Sequence, residues 1–582
     1  MSKTFEINPE RSAYLDARGK VILKACPGSG KTTSVAYKLK KLIDEVESSS
    51  GNHYRGIACL SFTNVAKDEI NSKFKDFHGK FISFPHAVLT IDSFINQYIV
   101  LPYFHHLKPS VTRPKILDSN FGLNNYNLGF LNSIRIDNVP ISKRYPPEYI
   151  SINLSNQFLF KKSRPNLTGE DLKSFNAYCQ RLKAWQFNNG VLTQNDSIYA
   201  AFKILESQQR IAEYLSKRFP LIVIDEAQDT SEIQFAIIDQ LIDNGLSQIE
   251  LIGDPFQSLY EWRNARPDLF EDRFNDSTTW NAKTLMQCRR SQQKIINQYS
   301  QLRNDNVSIV TSSNIQDADT LVIRFHEGDE KSAVAKYIEL SSQYKIRHVA
   351  VRGNSLRRKI LNQPERQPEP WKSKTPYTIL YALEQIELGN IKKAVSSIRS
   401  FIPRLIQPSI TLEEERKQIE SLKNDFSVNA KLFGLLKALP SLDLSLTDWT
   451  SQTQLKLQEC FELLETPDFE LKQGVWRPKH VLSLKSVMLI ETDSCEIPVS
   501  TIHKIKGKTL ESLLLILSRS SISANISLNE LTHSTDFPNE KKRMLYIAMS
   551  RPSHQLVIAV PSNFSREDIS SKLGGEVIFY EV

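Results

Sequence analysis

The chain has 582 residues, 40% of them hydrophobic, and a formal net charge of +9, which leaves room for three or four compact domains that bury cores without disulfide staples. Its six cysteines, at positions 26, 59, 179, 288, 460 and 495, form no C-x-x-C pair; this argues against a zinc ribbon or an iron–sulfur cluster and fits a reducing cytosol. The N-terminus MSKTFEINPERSAYLD is charged throughout, and no run of about 18 apolar residues occurs, so a cytoplasmic rather than a secreted or membrane-spanning protein is expected.

In chain order, the first strand-like run, VILKA, leads into Ala25, Cys26, Pro27, Gly28, Ser29, Gly30, Lys31, Thr32 and Thr33, and then into a helix-compatible stretch. This is the strand–loop–helix setting of a phosphate cradle. Glycines let backbone amides wrap phosphate oxygens, the helix start adds positive potential, Lys31 reaches the β- and γ-phosphates, and Thr32 binds magnesium. IACLSFT follows as a second strand. Between Leu101 and Gly190 there are 12 Lys and Arg against 5 Asp and Glu, interleaved with Phe121, Tyr126, Tyr145, Tyr149, Phe158, Phe160, Trp185 and Phe187. Such a segment suits a groove for single-stranded nucleic acid, with cations on phosphates and rings on bases. Equally, the rings are core and the cations a solvated face, the reading favoured for most of them.

LIVIDEAQD comes next. Its apolar strand delivers Asp225 to a C-terminal strand end, where it can hold magnesium, and Glu226 can take a proton from an attacking water. Asp229 is either part of that site or a helix cap. IELIGD closes a first α/β group spanning residues 20 to 290. HVAVRGN opens a second at roughly 320 to 360, which resumes near 498 with SLLLILS and QLVIAV. Between these, residues 361 to 490 are rich in Leu, Lys and Glu at helical spacing after a Pro-rich entry. The expected fold is therefore α/β, with two parallel-sheet cores, each carrying a mainly helical insertion. The first core is 1–105 with 191–290 and holds a basic insertion, 106–190; the second is 291–360 with 491–582 and holds the insertion 361–490.

Further motifs, in order, resemble those of the UvrD/Rep/PcrA branch of superfamily 1 DNA helicases. They are SFTN (Ser61 to Asn64), TIDSF (Thr90 to Phe94), GDPFQSLYEWR (Gly253 to Arg263), LMQCRRS (Leu285 to Ser291), TIHKIKG (Thr501 to Gly507) and LYIAMSR (Leu545 to Arg551), beside the P-loop and DEAQD, and the resemblance implies that the two cores are RecA-like, of P-loop NTPase type. The resemblance spans about residues 7 to 561 and fails in the insertions. It implies that Gln257 senses the γ-phosphate and that Arg290 and Arg551 reach it as arginine fingers, a role suited to a permanently charged fork; the bland alternative for each is a surface ion pair. By the same resemblance Phe62, Thr63, Asn64, Ser93, Tyr260, Trp262, Arg263, Arg352 and His503 contact DNA, and Gly507 lies at the nucleotide. Three positions depart from the pattern. Arg11 stands where an adenine-reading Gln is usual, Arg289 where a base-stacking Tyr is common, and Thr509 where a ribose-binding Glu is usual, with Glu511 as a nearby substitute.

The implied activity is ATP- and Mg2+-dependent movement along single-stranded DNA and unwinding of tailed duplexes, 3′ to 5′. The wording HKIKGKT and AMSRP also resembles UvrD-like subunits of bacterial anti-phage systems such as Gabija, in which the helicase works beside an OLD-type nuclease. A DNA-sensing regulatory subunit and a stand-alone DNA repair helicase are the competing expectations. A fused nuclease domain is not expected, since only about 30 residues follow the sixth motif.

Overall fold

The computed structural model describes residues 5–49, 54–117, 122–123, 126–161, 163–259, 264–305, 307–361, 370–373, 375–387, 391–407, 410, 412–463, 469–488, 496–522, 525–533, 535–574 and 576–582. The apolar runs of the first group form strands β1 (Lys20–Ala25), β2 (Ile57–Ser61), β3 (Ala87–Thr90), β4 (Leu221–Asp225), β5 (Gln248–Gly253) and β6 (Asn281–Leu285). They pair in the order β6-β1-β5-β4-β2-β3, all parallel. Strands β2 and β4 are buried along their whole length and β1 at all but its first residue. This is why their sequences read as continuous apolar runs rather than as alternating ones: helices cover both faces of a parallel sheet.

The second group forms β7 (Thr320–Phe325), β8 (Arg347–Val351), β9 (Val499–Thr501), β10 (Leu510–Ile516), β11 (Pro552–Pro561) and β12 (Val577–Glu581), in the order β9-β8-β10-β11-β7-β12 and again parallel. Helices α1 (Pro9–Asp16), α2 (Lys31–Ser49) and α3 (Asn64–His78) belong to the first sheet. Two further helices matter below: α4 (Gly169–Asn188) in the basic segment and α5 (Glu540–Met549) in the second core. One apolar cluster runs from Cys26, Phe256 and Leu259 of the first core into Leu545, Tyr546 and Met549 of α5. The two sheets thus share a dry seam.

The basic segment leaves and re-enters the first core side by side, since Lys115–Ile116 pairs in parallel with Val191–Leu192. Its long helix is α4, and short hairpins such as Ile150–Ile152 with Phe158–Phe160 accompany it. Prolines at 140, 146, 147 and 165 limit helix there. The rings divide as core residues do. Tyr145 is buried, Phe158 and Phe160 pack on the cluster around Phe175 and Tyr178, and Phe187 packs on the first core's cluster. Tyr149 is among the more exposed of them, and Phe121 lies outside the described residues.

The chain divides into two compact units: residues Met1–Arg357 with Ile497–Val582, which hold both sheets, and Arg358–Glu496. The second unit is helical, with helices at Thr375–Glu387, Ile391–Arg399, Leu412–Asn424, Phe426–Ala438 and Leu446–Phe461 around Trp371, Leu432 and Trp449. The Trp371 indole donates to Thr450 Oγ1 at 2.9 Å, so its N–H is satisfied in that core.

Candidate active site

The C-terminal ends of β1 and β4 lie one strand apart in the first sheet, with β5 between them. Ligands of open parallel sheets bind at such ends. After Ala25 the chain turns through Cys26 to Gly30 and enters α2 at Lys31. Gly28 has φ +76°, and a Cβ there would stand 2.6 Å from the Arg290 Cβ and 2.9 Å from Cys288 Sγ. The fourth motif therefore presses on the cradle so closely that only glycine fits.

Lys31 Nζ donates to Glu226 Oε1 at 2.5 Å and lies 3.2 Å from Asp225 Oδ1. Thr32 Oγ1 is 3.5 Å from Asp225 Oδ2. Burial pulls the Lys31 ammonium down, but Asp225 and Glu226 outweigh it and hold its pKa above the ordinary lysine value. Burial would raise Glu226; Lys31 and Lys506 overcome it, and the carboxyl is held down at about 2. Asp225 is instead raised, because burial exceeds the pull of Lys31. Glu226 also sits at φ +57°, a left-handed backbone that costs a non-glycine residue on the order of 1 kcal/mol or more.

A line of hydrogen bonds leads from this cluster to the other lobe. Gln228 Nε2 donates to Glu226 Oε2 at 2.5 Å, and the Asp254 backbone N–H donates to Gln228 Oε1 at 3.1 Å. Gln257 Nε2 donates to Asp254 Oδ2 at 2.8 Å, and Arg551 Nη2 donates to Gln257 Oε1 at 2.5 Å. A side chain on Gly253 would collide with the Gln228 amide oxygen, which is why glycine precedes Asp254. Arg551 is 2% exposed; burial and then Arg290 push its pKa down to about 9. Arg290 is lowered by burial and donates Nη1 to Ser550 O at 3.1 Å. Among the described residues neither arginine forms an ion pair. Lys506 of the fifth motif makes a second bridge, 2.5 Å from Asp229 Oδ2, so Asp229 faces the opposite lobe instead of capping a helix.

Arg11 is 3% exposed and donates to Ser29 O at 3.1 Å and to Glu6 O at 2.5 Å. Burial and then Arg289 lower its pKa to about 10. Arg289 donates to the same Ser29 carbonyl at 3.4 Å, so two guanidinium groups flank the cradle. Gly507 has φ +86° and follows Lys506. Glu511 is taken up elsewhere: its Oε2 accepts the backbone N–H groups of Lys345 and Ile346 at 2.6 and 3.1 Å. It secures the entry of β8 and leaves Thr509 without that substitute.

The remaining assigned residues lie along strand ends. Phe62, Thr63 and Asn64 follow β2, and Ser93 follows β3, with Ser61 and Thr90 in register. Thr63 caps α3 by accepting from Ala66 N at 3.2 Å. Thr90 Oγ1 donates to Ser93 Oγ at 2.7 Å and accepts the Ser93 N–H at 3.1 Å. On the second sheet Val351 and Thr501 pair, which brings Arg352 and His503 together. Burial, then Arg352 and Lys506, lower the His503 pKa. Tyr260, Trp262 and Arg263 lie outside the described residues. Gln228, Asp254 and Lys506 lie within the motifs without the motifs signalling a role for them, and Arg303 lies in none.

Fold and cradle together define a P-loop NTPase architecture of two RecA-like cores. Residues 7–278 match the UvrD/REP helicase N-terminal domain. The chain is 22% identical to the ATP-dependent DNA helicase Rep of Buchnera aphidicola subsp. Schizaphis graminum, over 94% of this chain and 92% of that one. It is 23% identical to the ATP-dependent DNA helicase PcrA of Staphylococcus epidermidis, over 81% and 66%. It is also 26% identical to the Gabija protein GajB of Bacillus cereus, over 51% of this chain and 48% of that one. The chain thus spans nearly all of the first of these relatives, about two thirds of the second and about half of the third.

Proposed function

We propose that the chain is an ATP-driven motor that translocates along single-stranded DNA, 3′ to 5′, and unwinds tailed duplexes. The observation that carries this is the bonded path from Lys31 and Glu226 in the cradle, through Gln228, Asp254 and Gln257, to Arg551 on the facing core. Hydrolysis at one end of that path alters what holds the two cores together, and cyclic closure of two DNA-binding lobes is translocation.

Lys31 is held by both carboxylates. Its ammonium turns to the β- and γ-phosphates when ATP enters. Glu226 then loses the main charge that holds its pKa near 2 and becomes a better base for the attacking water. Gln257 and Arg551 approach the γ-phosphate as a joined pair, and Arg290, against Gly28, adds a second positive charge. Thr32 and Asp225 fit a magnesium ion. One hydroxyl and one carboxylate stand together, and phosphate oxygens and water would complete the shell. Such an ion would neutralise phosphate charge.

Strand displacement with 3′- and 5′-tailed duplexes, ATP and Mg2+ tests the reading, beside phosphate release with and without DNA. The expected result is DNA-stimulated hydrolysis and unwinding from the 3′ tail. DNA-stimulated hydrolysis with no displacement would favour a second reading, a DNA-sensing ATPase subunit of a nuclease complex in anti-phage defence, which the similarity to GajB supports. Hydrolysis indifferent to DNA would overturn both.

A further inference from the structure

Behind the catalytic path lies a second buried polar chain that nucleotide hydrolysis as described does not use. Lys24, next to last in β1 and 3% exposed, places Nζ 2.8 Å from both Asp305 and Glu271. Asp305 accepts from Arg303 Nε at 2.9 Å and Nη2 at 2.6 Å. Arg303, also 3% exposed, stacks 4.3 Å from the Phe256 ring centroid and donates Nη1 to the Tyr546 hydroxyl at 3.0 Å. Tyr546 donates in turn to Asp254 Oδ2 at 3.2 Å, the oxygen that receives Gln257 Nε2. The chain starts on the strand that feeds the P-loop, crosses to the second core, and returns to the aspartate that aims Gln257.

Burial raises the pKa of Asp254, and Arg303 is the largest opposing influence. An ionised Asp254 accepts from Tyr546 and Gln257 together; a protonated one competes as a donor and releases one of them. Buried polar chains of this kind fix geometry because each unsatisfied member is costly. Asp254 needs the hydroxyl and the guanidinium, and both arrive from residues outside the first core's own sheet.

We propose that Tyr546 and Arg303 are positioning residues that act through Asp254 to hold Gln257 in the orientation that meets Arg551, so that the γ-phosphate contact forms only when the two cores are docked. This rests on the nucleotide-hydrolysis reading above. Tyr546→Phe keeps the ring against Phe256 and Tyr299 and removes only the oxygen. Its kcat for DNA-stimulated hydrolysis falls on the order of tenfold while the KM for ATP changes little. Arg303→Lys, which keeps the charge but cannot reach Asp305 and Tyr546 together, behaves the same way. The decisive readout is non-additivity. In a Gln257→Ala background, Tyr546→Phe costs no further activity, because its only target has gone. An equal further loss in that background, a rise in KM at unchanged kcat, or unaffected turnover in both single variants overturns the inference while wild type is active. A wild-type chain that hydrolyses no nucleotide overturns the functional reading and the inference with it.

Discussion

The nucleotide cleft and the rim of strand ends differ in how their polar groups are held. In the cleft, Lys31, Glu226, Asp254, Gln257 and Arg551 are bonded to one another across two lobes, mostly out of water. On the rim, Thr63 and Ser93 bond their own neighbouring turns, and Arg352 lies near enough to His503 to help lower its pKa. A reaction needs fixed charges aimed at a developing transition state, whereas a backbone that slides past needs cations and donors that release it easily. Removing a cleft residue should therefore cost far more than removing one from the rim. Lys31→Ala should reduce hydrolysis to background in a phosphate-release assay, and Arg551→Ala should lower kcat on the order of 10³-fold. Near-wild-type turnover in either would erase the contrast.

The inter-lobe pair tests the same contrast at intermediate size. Lys506→Ala leaves Asp229, 1% exposed, without its cation; breaking such a pair costs on the order of 3 kcal/mol, seen as a lower Tm. Lys506 also helps hold Glu226 down, so the acid limb of the ATPase pH profile should move to higher pH. Glu226 itself has a sign that can be checked. Its folded value, about 2, lies below the ordinary 4.5, so its contribution to stability is present above 4.5 and is lost as pH falls toward 2. Asp225, Asp229 and Asp254, raised by burial, contribute in the opposite sense: their share is present at low pH and declines as pH rises through their folded values. Glu226→Gln should thus show a shallower fall of Tm between pH 4.5 and 2 than wild type.

What could be read from residue order alone follows the same divide. Both sheets announced themselves because parallel strands buried on both faces are unbroken apolar runs, as in LIVID, and because the cradle's glycines punctuate a strand-to-helix step. Lys31 beside Asp225 and Glu226 follows from that step, since β1 and β4 end at the same edge. Arg303 gave no signal. The buried polar chain it belongs to, with Lys24, Asp305 and Tyr546, is scattered over more than 500 residues of sequence, and no local pattern records a charge that only the docked lobes bury. The fate of Glu511 was equally hidden, since it depends on β8 entering beside β10 with the Lys345 and Ile346 amides turned outward. The rings of the basic segment read alike in sequence, and only packing separates Tyr145 from Tyr149.

The smallest expected effects belong to the rim, and their form matters more than their size. Arg352→Ala should weaken single-stranded DNA binding severalfold at moderate salt and reduce the slope of log K against log salt by roughly 0.7, the value for one phosphate contact on a single strand. Hydrolysis without DNA should not change, since Arg352 takes no part in the bonded path from Lys31 to Arg551. Thr63→Ala should act differently although it sits on the same rim. It removes the cap that accepts from Ala66 N, worth about 1 kcal/mol of stability, and its effect on DNA binding should show little salt dependence because no charge is lost. Equal salt slopes for the two variants would mean that the rim does not divide into charge contacts and local caps, and that Arg352 holds the fold rather than DNA.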